Sequence, residues 1–280
     1  MISIALPSPD APLPAVTARH DRLFSQQLHR AVELTILLPP GYSAAAGRFP
    51  VLYLNDGQDM DRLGMTALLD SLYEKKSLPP LVVVGIHANQ DRLNEYGTAD
   101  QADYKGRGAK AGRYTQFVLS ELMPFIEKSV RVDTGPAATV IAGFSLGGLS
   151  ALDLAWSHPE RFGKVGVFSG SLWWRKKAYE FGYDDHTDRI MHTLIRATAH
   201  QPALKFWFEA GTEDETSDRN KNGVIDAIDD TLDLMKELRV KGYRDEVDFE
   251  YVEVSGGKHN QETWAGVMPD FLHWAFPEKL

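Results

Sequence analysis

Residues 139–148, Thr-Val-Ile-Ala-Gly-Phe-Ser-Leu-Gly-Gly, leave few folds open to this chain. A β-branched, apolar run ends in Gly143-x-Ser145-x-Gly147, and a helical pattern follows at once in Leu149, Ala151, Leu152, Leu154, Ala155 and Trp156. That order of strand, sharp turn and helix is the context in which Gly-x-Ser-x-Gly presents a nucleophilic serine. A serine held at positive φ needs neighbours without Cβ, so that strand and helix can approach closely. The turn lifts the Ser145 hydroxyl out of the sheet. The amide of Leu146, first in the new helix, then faces any negative charge that develops there.

The elements on either side fit a strand of that kind. Apolar stretches at 28–38, 51–55, 81–86, 165–169, 204–210 and 247–254 read as strands. Leu81-Val82-Val83-Val84-Gly85-Ile86 is nearly all apolar, as a parallel strand covered on both faces must be. Helical patterns at 61–76, 113–129, 227–240 and 262–275 alternate with them. The alternation predicts an α/β fold with a mostly parallel, doubly wound sheet and helices on both faces. Residues 1–20 carry Pro7, Pro9, Pro12 and Pro14 without sustained periodicity and read as a loosely attached arm. Residues 21–280 show neither an internal repeat nor a linker-like break, so one domain is expected there.

Composition narrows the function classes. The 280 residues carry a net charge of −9 and no Lys/Arg-rich run, which argues against nucleic acid and anionic membranes as partners. With no cysteine there is no disulfide, thiol nucleophile or thiolate-held zinc. That usage fits a cytoplasmic protein, and residues 1–10 lack the basic and apolar segments of a secretory signal. An exported form with its signal removed would look the same.

A serine hydroxyl becomes a nucleophile only when a base takes its proton and a third group orients that base. On folds with this elbow the partners follow in the order serine, acid, histidine. His259 stands after a strand, in Gly256-Gly257-Lys258-His259, and before the last helix. No other histidine has that placement. The acid is expected after the strand 204–210, where Gly211-Thr212-Glu213-Asp214-Glu215 offers three carboxylates. Asp214 is preferred at the loop tip, with Glu213, Glu215 and Glu209 as alternatives. A second oxyanion donor is expected from Asp56-Gly57-Gln58-Asp59, as the amide of Gln58, with Gly57 allowing the turn. Ser171, Trp173 and Trp174 follow the next strand and suggest an aromatic wall for an acyl or aryl group. The polar segment 92–113, Tyr96 included, is expected at the rim of the site.

Several separated motifs carry a family resemblance: Pro39-Pro40-Gly41-Tyr42, residues 51–58 (Val-Leu-Tyr-Leu-Asn-Asp-Gly-Gln), Asn94-Glu95-Tyr96, Gly143 to Gly148, Gly211-Thr212-x-Asp214 and Gly256-Gly257-x-His259. Together they resemble the putative esterase family of α/β-hydrolases over about residues 25–276. That family includes enterochelin-type siderophore esterases, feruloyl and acetyl xylan esterases, S-formylglutathione hydrolases and mycolyltransferases. The resemblance implies an α/β-hydrolase fold and an ester-cleaving serine enzyme. It implies Ser145 as nucleophile, His259 as base, an acid at Asp214 and oxyanion amides at Leu146 and Gln58. No catalytic cofactor is expected. The expected partner is a small-molecule ester; a homodimer is left open. An acyltransferase, a peptidase or thioesterase, and a catalytically silent binding protein are the competing readings.

One segment departs from the family pattern. Asp218 to Asp229 follows a calcium-loop spacing, with oxygen side chains at Asp218, Asn220, Asn222 and Asp229, glycine at 223 and the carbonyl of Val224 as a further ligand. Structural calcium at an insertion spanning 218–229 is therefore expected. The competing reading is an Asx-rich turn that caps the next helix without metal.

Overall fold

A computed structural model describes residues 15–278. In chain order the strands are β1 (Thr17–Ser25), β2 (Arg30–Leu38), β3 (Val51–Asn55), β4 (Val82–Ile86), β5 (Thr139–Phe144), β6 (Lys164–Phe168), β7 (Lys205–Glu213) and β8 (Phe249–Lys258). The helices are α1 (Met65–Glu74), α2 (Arg92–Glu95), α3 (Ala111–Phe117), α4 (Met123–Ser129), α5 (Leu146–Ser157), α6 (Asp185–Asp188), α7 (Ile190–Ala197), α8 (Asp226–Val240) and α9 (Gln261–Ala275). A π-helical turn, Val118–Leu122, joins α3 to α4.

The strands form one sheet in the order β1-β2-β4-β3-β5-β6-β7-β8. β1, β2 and β4 pair antiparallel, and from β4 to β8 every pairing is parallel. Successive residues of β3 enter opposite cores: Val51 and Tyr53 on one face, Leu52 and Leu54 on the other. The first core also takes α5 through Leu149 and Leu152, and α8 through Leu234 and Leu238. The second takes α1 through Leu69 and α9 through Met268 and Phe271. A sheet covered on both faces explains why β3, β4 and β5 lack polar alternation. This is the α/β-hydrolase architecture.

Two boundaries differ from the sequence-based expectation. β1 begins at Thr17 and pairs with β2 over its whole length, so residues 17–20 belong to the sheet and not to an arm. The rest of the expected arm, up to residue 14, lies outside the described residues. β8 runs through Gly256 and Gly257 to Lys258, which puts His259 directly at the end of a strand. Among the described residues no helix is long and apolar enough to cross a membrane.

Candidate active site

Ser145 sits between β5 and α5 at φ 55°, ψ −121°, a strained backbone for a residue with a side chain. The turn is held from several sides. The Ser145 amide donates to the Phe168 carbonyl at 2.8 Å, and its own carbonyl accepts from Gly148, Leu149 and Ser171. A Cβ on Gly143 would lie 2.4 Å from the Gly147 carbonyl oxygen, so that glycine is required by close approach. Leu146 opens α5, and a first-turn amide has no intrahelical acceptor.

The loop after β3 is tied to this elbow. Asn55 Nδ2 donates to the Gly147 carbonyl at 2.8 Å and Asn55 Oδ1 accepts from Tyr114 Oη at 2.6 Å. Asp56 carries the left-handed backbone of the turn, at φ 60°. Gly57 does not: its lack of Cβ is needed because Gly85 would lie 2.3 Å from one. Arg92 donates two hydrogen bonds of 2.7 Å to the Asp56 carboxylate and a third, of 3.2 Å, to the Phe144 carbonyl. The segments bearing Leu146 and Gln58 are therefore clamped together by a buried carboxylate and a guanidinium.

The carboxylates separate by burial. Glu213 is exposed beside Lys258. The Asp214 side chain is 1 % exposed, and its Oδ1 lies 3.9 Å from His259 Nδ1. That is contact distance, longer than a hydrogen bond. Burial pushes the Asp214 carboxyl up, against the positive form of His259, and neither of its oxygens accepts a hydrogen bond among the described residues. Burial likewise lowers His259, against Asp214, with Arg92 adding to the fall. Glu209 lies deeper: its Oε2 accepts from the Ser169 amide at 3.1 Å and hydroxyl at 3.3 Å. Burial and then the charge of Asp214 push Glu209 up to about 8. Trp264 completes this backing, donating from Nε1 to Ser169 Oγ at 2.9 Å and setting its ring edge-on to His259. Ser169 and Trp264 were not singled out by the sequence. A positive φ of 44° at Ser169 marks its strain, and no motif announces it.

Ser145, Ser169, Ser171, Trp173, Asp214 and His259 line one cavity of about 240 Å³. Ser145 Oγ lies 3.4 Å from Ser171 Oγ. Two expected substrate residues are elsewhere. Trp174 is fully buried, packed over Gly97 and Gly108. Tyr96 is 1 % exposed, and its hydroxyl accepts from the Asp56 amide at 3.1 Å. It braces the loop after β3 and does not form a rim. Adjacency to Trp173 hid the first, since neighbouring side chains leave the backbone in different directions.

In the loop 218–229 the Asp229 carboxylate accepts from the amides of Asn220 and Asn222, each at 2.8 Å. Asp218 accepts from the backbone of Asn222 and Gly223, and Asp229 lies in the first turn of α8. Among the described residues no group of three or more His, Cys, Asp or Glu is arranged to hold a metal. The oxygens here are instead two carboxylates and two amides.

A family model described as "Putative esterase" matches residues 25–275. The uncharacterised protein YbbA of Bacillus subtilis is 26 % identical over 246 residues, 86 % of this chain and 91 % of its own. The iron(III) enterobactin esterase of Escherichia coli K12 is 31 % identical over 180 residues, which are 61 % of this chain and 42 % of that protein. Among solved structures, a ferulic acid esterase superposes with a TM-score of 0.72 at 20 % identity, covering 94 % of this chain and 98 % of that one. The enterobactin esterase of Shigella flexneri gives 0.71 at 23 %, covering 96 % and 60 %.

Proposed function

The chain belongs to the putative esterase family and is a carboxylic ester hydrolase, and from that premise we propose that it works through an acyl-enzyme on Ser145 with small-molecule esters as substrates. Ser145 Oγ attacks the ester carbonyl carbon while His259 takes its proton. The amides of Leu146 and Gln58 bind the oxyanion. The tetrahedral intermediate expels the alcohol, which receives the proton from His259, and water repeats the sequence to release the acid. Asp214 holds the His259 ring and stabilises its charged form. The lowering of His259 by burial favours the neutral base in the free enzyme. Preorganised donors in such a hole lower the barrier by roughly 3–4 kcal/mol each.

The observation that carries this reading is the strained backbone of Ser145 in a cavity it shares with His259 and Asp214. The relatives' printed names, enterobactin esterase and ferulic acid esterase, support ester substrates, the second of an aromatic acid. A fluorophosphonate should add its mass to the peptide bearing Ser145, and Ser145→Ala should lose at least ~10³-fold in kcat. An adduct elsewhere on folded protein, or near-parental turnover in the variant, overturns the assignment.

The loop 218–229 belongs to the same proposal. Asp218, Asn220, Asn222, the Val224 carbonyl and Asp229 would hold calcium, whose hard-cation chemistry suits an all-oxygen set. The ion would fix the entry to α8, where Ala227 lines the cavity beside Ser145. Chelation should lower the melting temperature, and calcium but not magnesium should restore it. An unchanged melting curve rules the site out.

A further inference from the structure

We propose that a second cavity, bordering the one at Ser145, binds an anionic group carried by the ester substrate, with Arg175 as its anchor and Lys105 as a second positive charge. The inference rests on the serine-esterase reading and names the substrate class for that same site. The second cavity, of about 270 Å³, is lined by Tyr104, Lys105, Arg107, Trp173, Arg175 and Glu215 among others. Trp173 and Glu215 border both cavities.

Arg175 is the unusual residue. It is 8 % exposed, and its Nε is buried without a partner. The one hydrogen bond of its guanidinium among the described residues runs from Nη2 to Tyr104 Oη, at 3.4 Å. Its guanidinium lies 3.9 Å from the Tyr179 ring centre and 4.8 Å from that of Tyr104. Among the described residues no carboxylate pairs with it. Partly buried arginines nearby are matched: Arg107 by Asp103, and Arg219 by Asp185, Asp226 and Asp230. A protein of net charge −9 has carboxylates in excess, yet leaves this cation without one.

A buried, unpaired charge is costly, and aromatic faces recover only part of that cost. The rest is recovered when an anion arrives, and a planar guanidinium fork suits a carboxylate or phosphate. Lys105 is exposed at the same cavity, with its Nζ 5.5 Å from the Tyr104 ring centre. Of the acidic residues there, Asp226 is held by Arg219 at 3.0 Å, and burial, ahead of the charge of Asp226, raises the Glu215 carboxyl. Trp173, capped by Arg107 at 5.0 Å, lines both the cavity holding Ser145 and the one holding Arg175. The substrate is thus an ester whose anionic group stands a short chain or an aryl ring away from the scissile bond.

Two substrate pairs test this, one with the charge on the acyl side and one on the alcohol side: 4-nitrophenyl hemiglutarate against 4-nitrophenyl pentanoate, and 3-acetoxybenzoate against phenyl acetate. In at least one pair kcat/KM for the anion should exceed that for the neutral ester by about tenfold or more, through KM and less so in high salt. Arg175→Met should cut that ratio by about tenfold, Arg175→Lys by less, and Lys105→Met by about threefold. Quenching of tryptophan fluorescence by benzoate, weakened in the same variants, reads the subsite without turnover. No anion preference in either pair, a ratio that Arg175→Met and Lys105→Met both leave intact, or a folded Arg175→Met that loses both members equally overturns the proposal. Should Arg175→Met fail to fold, Lys105→Met and the salt dependence decide. Turnover of the neutral esters, lost in Ser145→Ala, tests the serine reading separately.

Discussion

Asp214 and Glu209 are two carboxyls in one dry corner beside His259, and their surroundings push their charges apart. Glu209 is driven up to about 8 by burial and by the charge of Asp214, so near neutral pH it is held mostly protonated. Asp214 is also raised by burial, but the positive form of His259 favours its anion. Only an anion can steady a positive imidazole. Asp214→Asn should therefore lower kcat by ~10³–10⁴-fold. Glu209→Gln keeps an oxygen for Ser169 and should cost less than about tenfold. Steady-state kinetics on folded variants check the order, and the reverse order would move the acid's role to Glu209. The sequence shows the carboxylates at 209 and 213–215 but cannot rank them. Burial ranks them, and burial comes from the sheet register that turns Glu213 to solvent and Asp214 inward.

At the scale of elements, the elbow works because α5 lies against the loop after β3. Gly147 is the point of contact: a Cβ there would meet Asp56 Oδ2 at 2.5 Å, Asn55 Cβ at 3.2 Å and the Tyr96 ring at 3.3 Å. Arg92 fixes Asp56 from the other side, so the carboxylate has little freedom to yield. Gly147→Ala should cost about 1–3 kcal/mol of stability by overpacking. It should also lower kcat while the helix itself gains propensity. Urea unfolding and kinetics on the same preparation check both, and a neutral or stabilising effect would mean that the clamp is loose. The sequence disclosed this element through its glycines, and it disclosed β3, β4 and β5 because fully buried strands are apolar throughout. It did not disclose β1. Arg19, Asp21 and Arg22 give that edge strand charge on a half-exposed ribbon, and charged edges read as loop. The end of β8 was hidden for another reason: Gly256 and Gly257 look like a turn, yet Gly257 is there because a Cβ would meet Val254 and Thr263 at 2.8–2.9 Å.

For the whole molecule, the buried acids set a pH dependence whose sign follows from proton counting. Asp153, on α5, is raised to about 7 by burial, against the Ala99 amide, and Glu209 is raised to about 8. Both are protonated in the native state at a pH where the unfolded chain has released its protons. The native state then binds more protons, so stability falls as pH rises from the ordinary carboxylate range toward about 8. His192, lowered to about 3 by burial, works the opposite way, but only below its ordinary value near 6.5. Above that the acids dominate: Lys164, lowered to about 8 by burial, opposes them in part, while the growing negative charge of a chain already at −9 adds to the loss. Each proton contributes about 1.4 kcal/mol per pH unit. Raising the pH from about 6.5 to about 8.5 should therefore cost roughly 2 kcal/mol net, most of it through Glu209. Urea midpoints at the two pH values measure the loss, and the double variant Asp153→Asn, Glu209→Gln should flatten it. A midpoint that rises with pH in the parent protein would mean that these carboxyls are ionised in the fold. The corner behind His259 would then carry two negative charges, and the division of labour between Asp214 and Glu209 would fail with it.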